Sequence, residues 1–375
     1  MTMFDGFYDH FSLLSDRRMD RTKRHKLIDI LFIGVCATIC GGEGFTDMAD
    51  FGVARDEWLK QYLDLPSGIP SHDTFRRVFM ILEPESLLEC FMCWSESLHA
   101  ATGGEVIALD GKVIRHSFDN ASGQPALRTI SAWATENGLT LAQIKIDADG
   151  NEITALPKLI EMLDLEGMTV TIDAIGCQKE IAAQIVRKGG DYLLRVKGNQ
   201  QRLHEDLIRY FKEKHDLPKE DPFYFKSVDK DHGRMEVRKC WAAAGDPELL
   251  GFGEEWAGLG SIAMLKRKRR VSGKTSTETA YYISSLPPIA EKIAVAARNH
   301  WGIENSLHWV LDINMNEDMS RVRKDNAPEN LAVLRRIALN MLKKETSHMK
   351  GRSSVRRRMK RAAWDGDYLA QVLAA

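Results

Sequence analysis

Two apolar runs in this chain each stop on an aspartate. "EVIALD" closes on Asp110, and "MTVTIDA" reaches Asp173. Short continuous runs of this kind read as strands covered on both faces. A carboxylate at the end of such a strand is costly without a partner, so each charge needs a neutralising neighbour or a use. The segments around the two runs define the fold class. "LRTISAWAT" and "LTLAQIKI" flank Glu136-Asn137-Gly138, a hairpin turn. "ITALPKLIEMLDL" and "QKEIAAQIVRKGG" have helical spacing, and "DYLLRVKGN" reads as a further strand. Three strands in a meander, then helix, strand, helix, strand, make a mixed α/β sheet, antiparallel at first and parallel later.

The flanking regions differ from this centre. Residues 1–100 are predicted to form an all-helical domain. Its apolar run from Ile30 to Cys40 falls short of the ~20 residues that span a bilayer and reads as a buried helix. "LPSGIP" interrupts the pattern, and "SHDTFRRVFMIL" restarts it with Ser71 or Asp73 as N-cap. A short helix carrying Arg76 and Arg77 after a turn is compatible with a helix-turn-helix that binds DNA. A helical bundle with an exposed basic face is equally compatible. A β-rich insertion is expected over about 200–288. Helical spacing then runs from about Ala290 to Leu311, and the end of the chain, 346–375, is a basic tail. A 375-residue chain has room for these units.

The cysteines at 36, 40, 90, 93, 177 and 240 are scattered, as in a reduced, cytoplasmic protein. Cys90 and Cys93 have CxxC spacing but no second pair at zinc-ribbon distance, and their apolar neighbours suggest core cysteines. The acidic start lacks the apolar stretch of a signal peptide, and no membrane association is expected.

Ligands of an open α/β sheet bind at the carboxyl ends of its strands, so Asp110 and Asp173 can converge there. Two like charges at close range repel unless a cation joins them. A pair of Mg²⁺ ions about 3.5–4 Å apart would neutralise them and create a centre for in-line phosphoryl displacement. A third carboxylate is needed to hold both ions. "RNHWGIENSLHWVLDINMNED" offers Glu304, in a helix between apolar and aromatic neighbours.

These words match a known family. The chain resembles the DDE transposases of bacterial insertion sequences, in the group that includes the H-repeat-associated proteins. The resemblance rests on "GIPSHDTFRRV", "IALDGKVIRHS", "ISAWA", "NEITALPKLIEMLDLEG", "TIDAIGCQKEIA", "GGDYLLRVKGNQ", "HGRMEVR", "RNHWGIENSLHW", "NEDMSRVR" and "LRRIALNML", in order along nearly the whole chain. It implies an RNase H-like catalytic domain over 101–345, with a β insertion before its last catalytic helix. It implies that Asp110, Asp173 and Glu304 are the acidic triad, holding two Mg²⁺ ions with Mn²⁺ as a substitute. It also implies double-stranded DNA as partner, at element ends and target, and a homodimer when assembled on that DNA. Where the wider group carries Tyr, Arg and Lys around the last acid, this chain has Ala297, His300 and Leu311. Two other readings stay open: a stand-alone nuclease on the same fold, and a catalytically inactive DNA-binding relic.

Further residues are candidates for DNA contact. Trp301 stands where an aromatic packs near the DNA end in related enzymes, and it is equally compatible with the core. His300 is a candidate phosphate contact. Lys197 and Asn199 follow a strand end near the proposed centre and could touch phosphate; Lys197 could instead pair with an acid. His232-Gly233-Arg234 reads as a turn whose arginine could reach DNA. His300, Glu304 and His308 do not have the H-E-x-x-H spacing of a zinc helix. Net charge, 52 Lys and Arg against 53 Asp and Glu, argues neither for nor against nucleic acid. The basic residues are segregated, however, into "RRMDRTKRHK", "KRKRR" at 266–270 and "RRRMKR" at 356–361. Such segregation suits a surface that tracks phosphates.

Overall fold

The computed structural model describes residues 5–99, 105–213, 219–231, 234–245, 255–345 and 354–374. The helical start consists of α1 (Asp5–Phe11), α2 (Leu27–Ile39), α3 (Phe45–Ala54), α4 (Asp56–Leu59), α5 (His72–Ile81) and α6 (Pro84–Leu98). Helix α2 is buried around nearly its whole circumference, as a helix apolar on all sides must be. Ser71 caps α5, its hydroxyl accepting from the Thr74 amide. The link from α4 to α5 runs over residues 60–71, longer than the three- or four-residue turn of a helix-turn-helix. Phe75, Val78 and Phe79 point α5 into the core, which leaves Arg76 and Arg77 exposed. Cys90 is half-buried and packs against the core, whereas Cys93 is exposed, contrary to its expected place there, because it falls beyond the buried Phe91 and Met92 face of α6.

The sheet then assembles from β1 (Val106–Val113), β2 (Arg128–Ala134) and β3 (Leu139–Lys145) as an antiparallel meander. Gly138, with φ +69°, supplies the backbone that the β2–β3 turn demands. Next come α7 (Glu152–Met162), β4 (Thr169–Ile172), α8 (Lys179–Arg187) and β5 (Asp191–Val196), with β1, β4 and β5 parallel. The insertion opens with α9 (Gln201–Glu213), a helix the sequence reading left out. It continues as β6 (Tyr224–Asp231), β7 (Arg234–Ala244), β8 (Ser261–Val271) and β9 (Lys274–Ser284). Strand β9 pairs antiparallel with β5, so the insertion extends the central sheet; the strand order is β3-β2-β1-β4-β5-β9-β8-β7-β6. His232 and Gly233 of the expected turn lie outside the described residues.

The expected helix from Ala290 to Leu311 is divided. Helix α10 (Ala290–His300) is followed by a π-helical turn over Glu304–His308 and then α11 (Trp309–Asn314). Helix α12 (Ala327–Lys344) packs against α2, α5, α6 and β3. Asn340 on α12 both accepts from and donates to the backbone of Thr140, which seals edge strand β3. Residues of the helical start, the sheet and α12 share one continuous hydrophobic core. The basic end of the chain is described from Ser354 onward. There α13 (Val355–Trp364) and α14 (Gly366–Leu373) bury Met359, Tyr368 and Leu369 in that core.

Candidate active site

Strand β1 runs on past Asp110 to Val113, paired with β2 throughout. Its parallel partner β4 stops earlier: the last matched row is Leu109, Ile172 and Leu194 on β1, β4 and β5. Asp110 therefore sits where β1 loses its parallel neighbour, not where it ends. Asp173 is the next residue of β4, and Arg195 the next of β5. Asp173 caps a short 3₁₀ turn, its Oδ1 accepting from the Ile175 amide at 2.8 Å. Asn199 holds this turn, donating from Nδ2 to the Ala174 carbonyl at 2.6 Å; that atom is used in the loop, where a phosphate contact was expected of it.

Glu304 comes from the opposite wall, at the first position of the π-helical turn, where the Trp309 amide reaches back to its carbonyl. Asp110, Asp173 and Glu304 all line one pocket of about 240 Å³, together with Lys197, His300 and Trp301. The ligand atoms of Asp110, Glu304 and His308 lie within 4.8 Å of one another. The His308 Nδ1 is 3.2 Å from Glu304 Oε2 and 3.5 Å from Asp110 Oδ2. Asp173 faces Lys197, at 4.0 Å.

Burial pushes the Asp110 carboxyl up to about 6, against the pull of His308 and the Gly111 amide, and the charges of Glu152 and Glu304 add to the rise. Glu304 is held below its ordinary value by its hydrogen bond to His308, with Lys112 adding to that effect. An acid destabilised by burial beside other acids is a centre that a cation would relieve. Oxygen and imidazole donors this close together suit a divalent ion.

His300 has a different character. Burial takes its imidazole down to about 4, and its Nδ1 lies 3.2 Å from the Thr171 hydroxyl. The ring is neutral near pH 7 and is a weaker phosphate partner than an arginine in its place. Trp301 is 45% exposed and forms part of a second, larger cavity of about 640 Å³ that also reaches Glu304. This groove runs along the insertion and is lined by Arg195, Arg234, Arg238, Arg267, Arg269 and Arg298, with Glu236 and Glu278 between them. The Arg267 guanidinium lies 5.9 Å from the Trp301 ring centroid. Arg195 and Arg267 share Glu278, at 2.7 and 2.6 Å. The Nε atoms of Arg195 and Arg269 are buried without a partner among the described residues. Arg76 is spent partly on Asp73, at 3.0 Å, and lies with Arg77 on α5.

Sequence reasoning passed over several of these residues. "KRKRR" was legible as a charge run, but strand alternation sends Arg267 and Arg269 to the groove and their neighbours to the other face. Glu152 is a fourth acid of the centre. Burial and Asp173 raise its carboxyl, and it lies over Gly111, where any Cβ would stand 2.2 Å from its Oε1. That approach explains the glycine between Asp110 and Lys112.

Comparison with known proteins places the chain among relatives. A family model described as "Transposase DDE domain" matches residues 101–341, and one described as "DDE_Tnp_1-associated" matches residues 8–95. The chain is 42% identical over 371 residues to "H repeat-associated putative transposase YhhI" of Escherichia coli (strain K12), covering 98% of this chain and 97% of that one. It is 41% identical over 375 residues to "Putative transposase YncI" of Escherichia coli O157:H7, covering 98% and 94%. Among solved structures it is similar to piggyBac transposase in a synaptic complex with hairpin DNA. That likeness has a TM-score of 0.46 and 11% identity, over 98% of this chain and 80% of that one, and carries no argument about the site.

Proposed function

The chain belongs to the DDE transposase family of insertion-sequence elements, related to the H-repeat-associated transposases, and from that premise we propose that it binds the ends of an insertion sequence and catalyses metal-dependent DNA strand cleavage and strand transfer. The observation that carries this reading is the meeting of Asp110, Asp173 and Glu304 in one pocket that opens beside an arginine-lined groove.

In this reading Asp110, Asp173 and Glu304 hold two Mg²⁺ ions, with Mn²⁺ as a substitute. When bound, the ions supply charge neutralisation and Lewis acidity for in-line displacement at phosphorus. The chain's own residues do the rest. Arg267, Arg269 and Arg234 track the phosphates of the strand in the groove. Trp301, exposed between groove and pocket, offers a face for a base near the cut, a contact worth about 1–3 kcal/mol. Lys197, 4.0 Å from Asp173, is within the pocket to contact a phosphate, and His300 would add a neutral contact. The attacking group is a water for the nick and a 3′-hydroxyl for the joining step, so no protein nucleophile is required. The helical start, through Arg76 and Arg77, and the basic end of the chain add contacts to the element ends. A homodimer assembles on the paired ends. Among the described residues no helix is long and apolar enough to cross a membrane.

The test is a plasmid carrying the cognate inverted repeats, incubated with Mg²⁺ and either the wild type or Asp110→Ala. Nicked and joined products are expected from the wild type alone. Equal activity in both would overturn the triad. Cleavage without preference for the ends would favour a stand-alone nuclease, and end binding without cleavage an inactive relic.

A further inference from the structure

We propose that His308 is itself a ligand of the ion held by Asp110 and Glu304, and that this makes the centre a mixed oxygen and nitrogen site that prefers manganese to magnesium. The inference rests on the reading of the pocket as a metal centre and adds a residue outside the acidic triad.

A histidine that merely pairs with two carboxylates draws them in to the roughly 2.7–2.9 Å of a charge-assisted hydrogen bond. Here the Nδ1 stands 3.2 Å from Glu304 and 3.5 Å from Asp110. Adjacent ligands of an octahedral ion with bonds near 2.1 Å are separated by about 3.0 Å. The two separations from the imidazole are thus slightly wider than an ion's edge, and the third, between the carboxylates, lies within 4.8 Å, as around a space that an ion closes.

His308 is 4% exposed, and its Nε2 is buried with no partner among the described residues. Among the described residues its polar contacts are therefore the two carboxylates. Glu304 and His308 lie four apart within the π-helical turn, so one local distortion of the helix delivers both donors to Asp110. Turns of this kind concentrate at functional sites.

Mg²⁺ takes oxygen donors and keeps several waters. Imidazole suits first-row transition metals, and Mn²⁺, the weakest binder of that row, is the one that also shares the carboxylate and water ligands of Mg²⁺, so one nitrogen among oxygen donors separates the two ions in favour of Mn²⁺. Asp173 stands outside the three-residue cluster with Lys197 as its nearest cation, so the nitrogen-containing half of the centre is the one assembled before any ion enters.

The experiment uses the full chain without DNA, loaded with one equivalent of Mn²⁺ and examined by pulsed electron paramagnetic resonance. A ¹⁴N coupling of directly bound imidazole is expected for the wild type. It should be lost in His308→Gln, which should weaken Mn²⁺ binding at least about tenfold, the scale on which even outer-shell partners act, and Mg²⁺ binding by less than about threefold. Asp110→Asn should abolish binding at this position. Mn²⁺ bound without nitrogen coupling, or bound by His308→Gln with undiminished affinity, would overturn the proposal and leave the acidic centre standing. A wild type that binds no Mn²⁺ would overturn both. Should His308→Gln fail to fold, His300→Gln still decides: His300 is the other imidazole lining the pocket, so a coupling kept in that variant belongs to His308, and one lost with it overturns the proposal. Plasmid nicking in Mg²⁺, scored separately, reports on the transposase reading.

Discussion

Around β1 the charged side chains are sealed in, whereas along β7 and β8 most of them line an open groove, the buried Glu236 and the Arg238 paired with it being the exception. Lys112 is buried and pairs with Asp312 at 2.5 Å. Glu317 and Arg336 are both fully buried and bonded to each other, the shorter contact being 2.5 Å. Burial would raise the Glu317 carboxyl, but Arg336, Arg335 and Lys112 around it more than reverse that and hold it below its ordinary value. In the groove Arg234 and Arg298 are exposed, while Arg267 shares a carboxylate with a neighbour. The contrast separates two uses of charge. A buried pair has no spare capacity for a ligand and fixes geometry: Lys112, Glu317 and Arg336 tie β1 to the segment after α11 and to α12. A half-solvated arginine exchanges its partner readily and is suited to binding.

The sharpest way to break this division is Arg336→Met. It leaves the Glu317 carboxylate buried with only Arg335 and Lys112, the latter 4.0 Å away, as its remaining cations among the described residues. The expected loss is about 3–5 kcal/mol in denaturant unfolding. Arg267→Gln should stay within about 0.5 kcal/mol of wild type in the same measurement. Comparable losses in the two would mean that the groove arginines are structural.

Next in size is the effect on chemistry. Asp110→Asn should lower the nicking rate by at least about 10²-fold, the scale of losing one preorganised electrostatic contact. DNA affinity, read by fluorescence anisotropy, should hold or rise slightly because a negative charge is removed. The double variant Arg267→Gln, Arg269→Gln should do the reverse. It should keep metal binding while weakening DNA binding, and it should flatten the slope of log affinity against log salt by about two. An unchanged slope would show that phosphates do not run along this face.

The same contrast governs what was legible in the sequence. Asp110, Asp173 and Glu304 stood out because each breaks a local apolar pattern, and a charge among apolar residues is informative. The meander, the parallel strands and the β insertion were legible from period and turn residues. The groove was not, because it is made by register. Arg195 becomes a neighbour of Arg267 only through β5 pairing with β9 and their sharing of Glu278. The π-helical turn was hidden as well: Trp301 to Leu311 reads as ordinary helix, and nothing in its residue spacing marks the wider turn. Glu152 could have been suspected from Gly111, since a glycine inside a strand marks close approach, but only the fold says what approaches.

Lys343 lies between the two regions and gives the smallest of the expected effects. Its ammonium faces the Trp133 ring, 5.2 Å from the centroid, and donates to the Ser306 carbonyl at 2.8 Å, inside the turn that carries Glu304 and His308. Arg358 donates to the Lys343 carbonyl. Burial brings the amine down from 10.5 to about 7. The unfolded chain therefore binds a proton between about pH 7 and 10.5 that the folded chain does not. Stability should rise with pH across that window, by at most about 1.36 kcal/mol per pH unit. Below pH 7 both forms carry the proton, and the full cost of the buried charge is present. In Lys343→Met this contribution to the slope should vanish in melts compared between pH 7 and 9, since the charge is gone from both states. The Ser306 carbonyl would lose its donor at the same time. If the turn depends on that hydrogen bond, Lys343→Met should also loosen Mn²⁺ binding at the acidic centre without touching a ligand. A variant with the slope removed and metal affinity intact would assign Lys343 to stability alone and place the support of the turn in its own backbone.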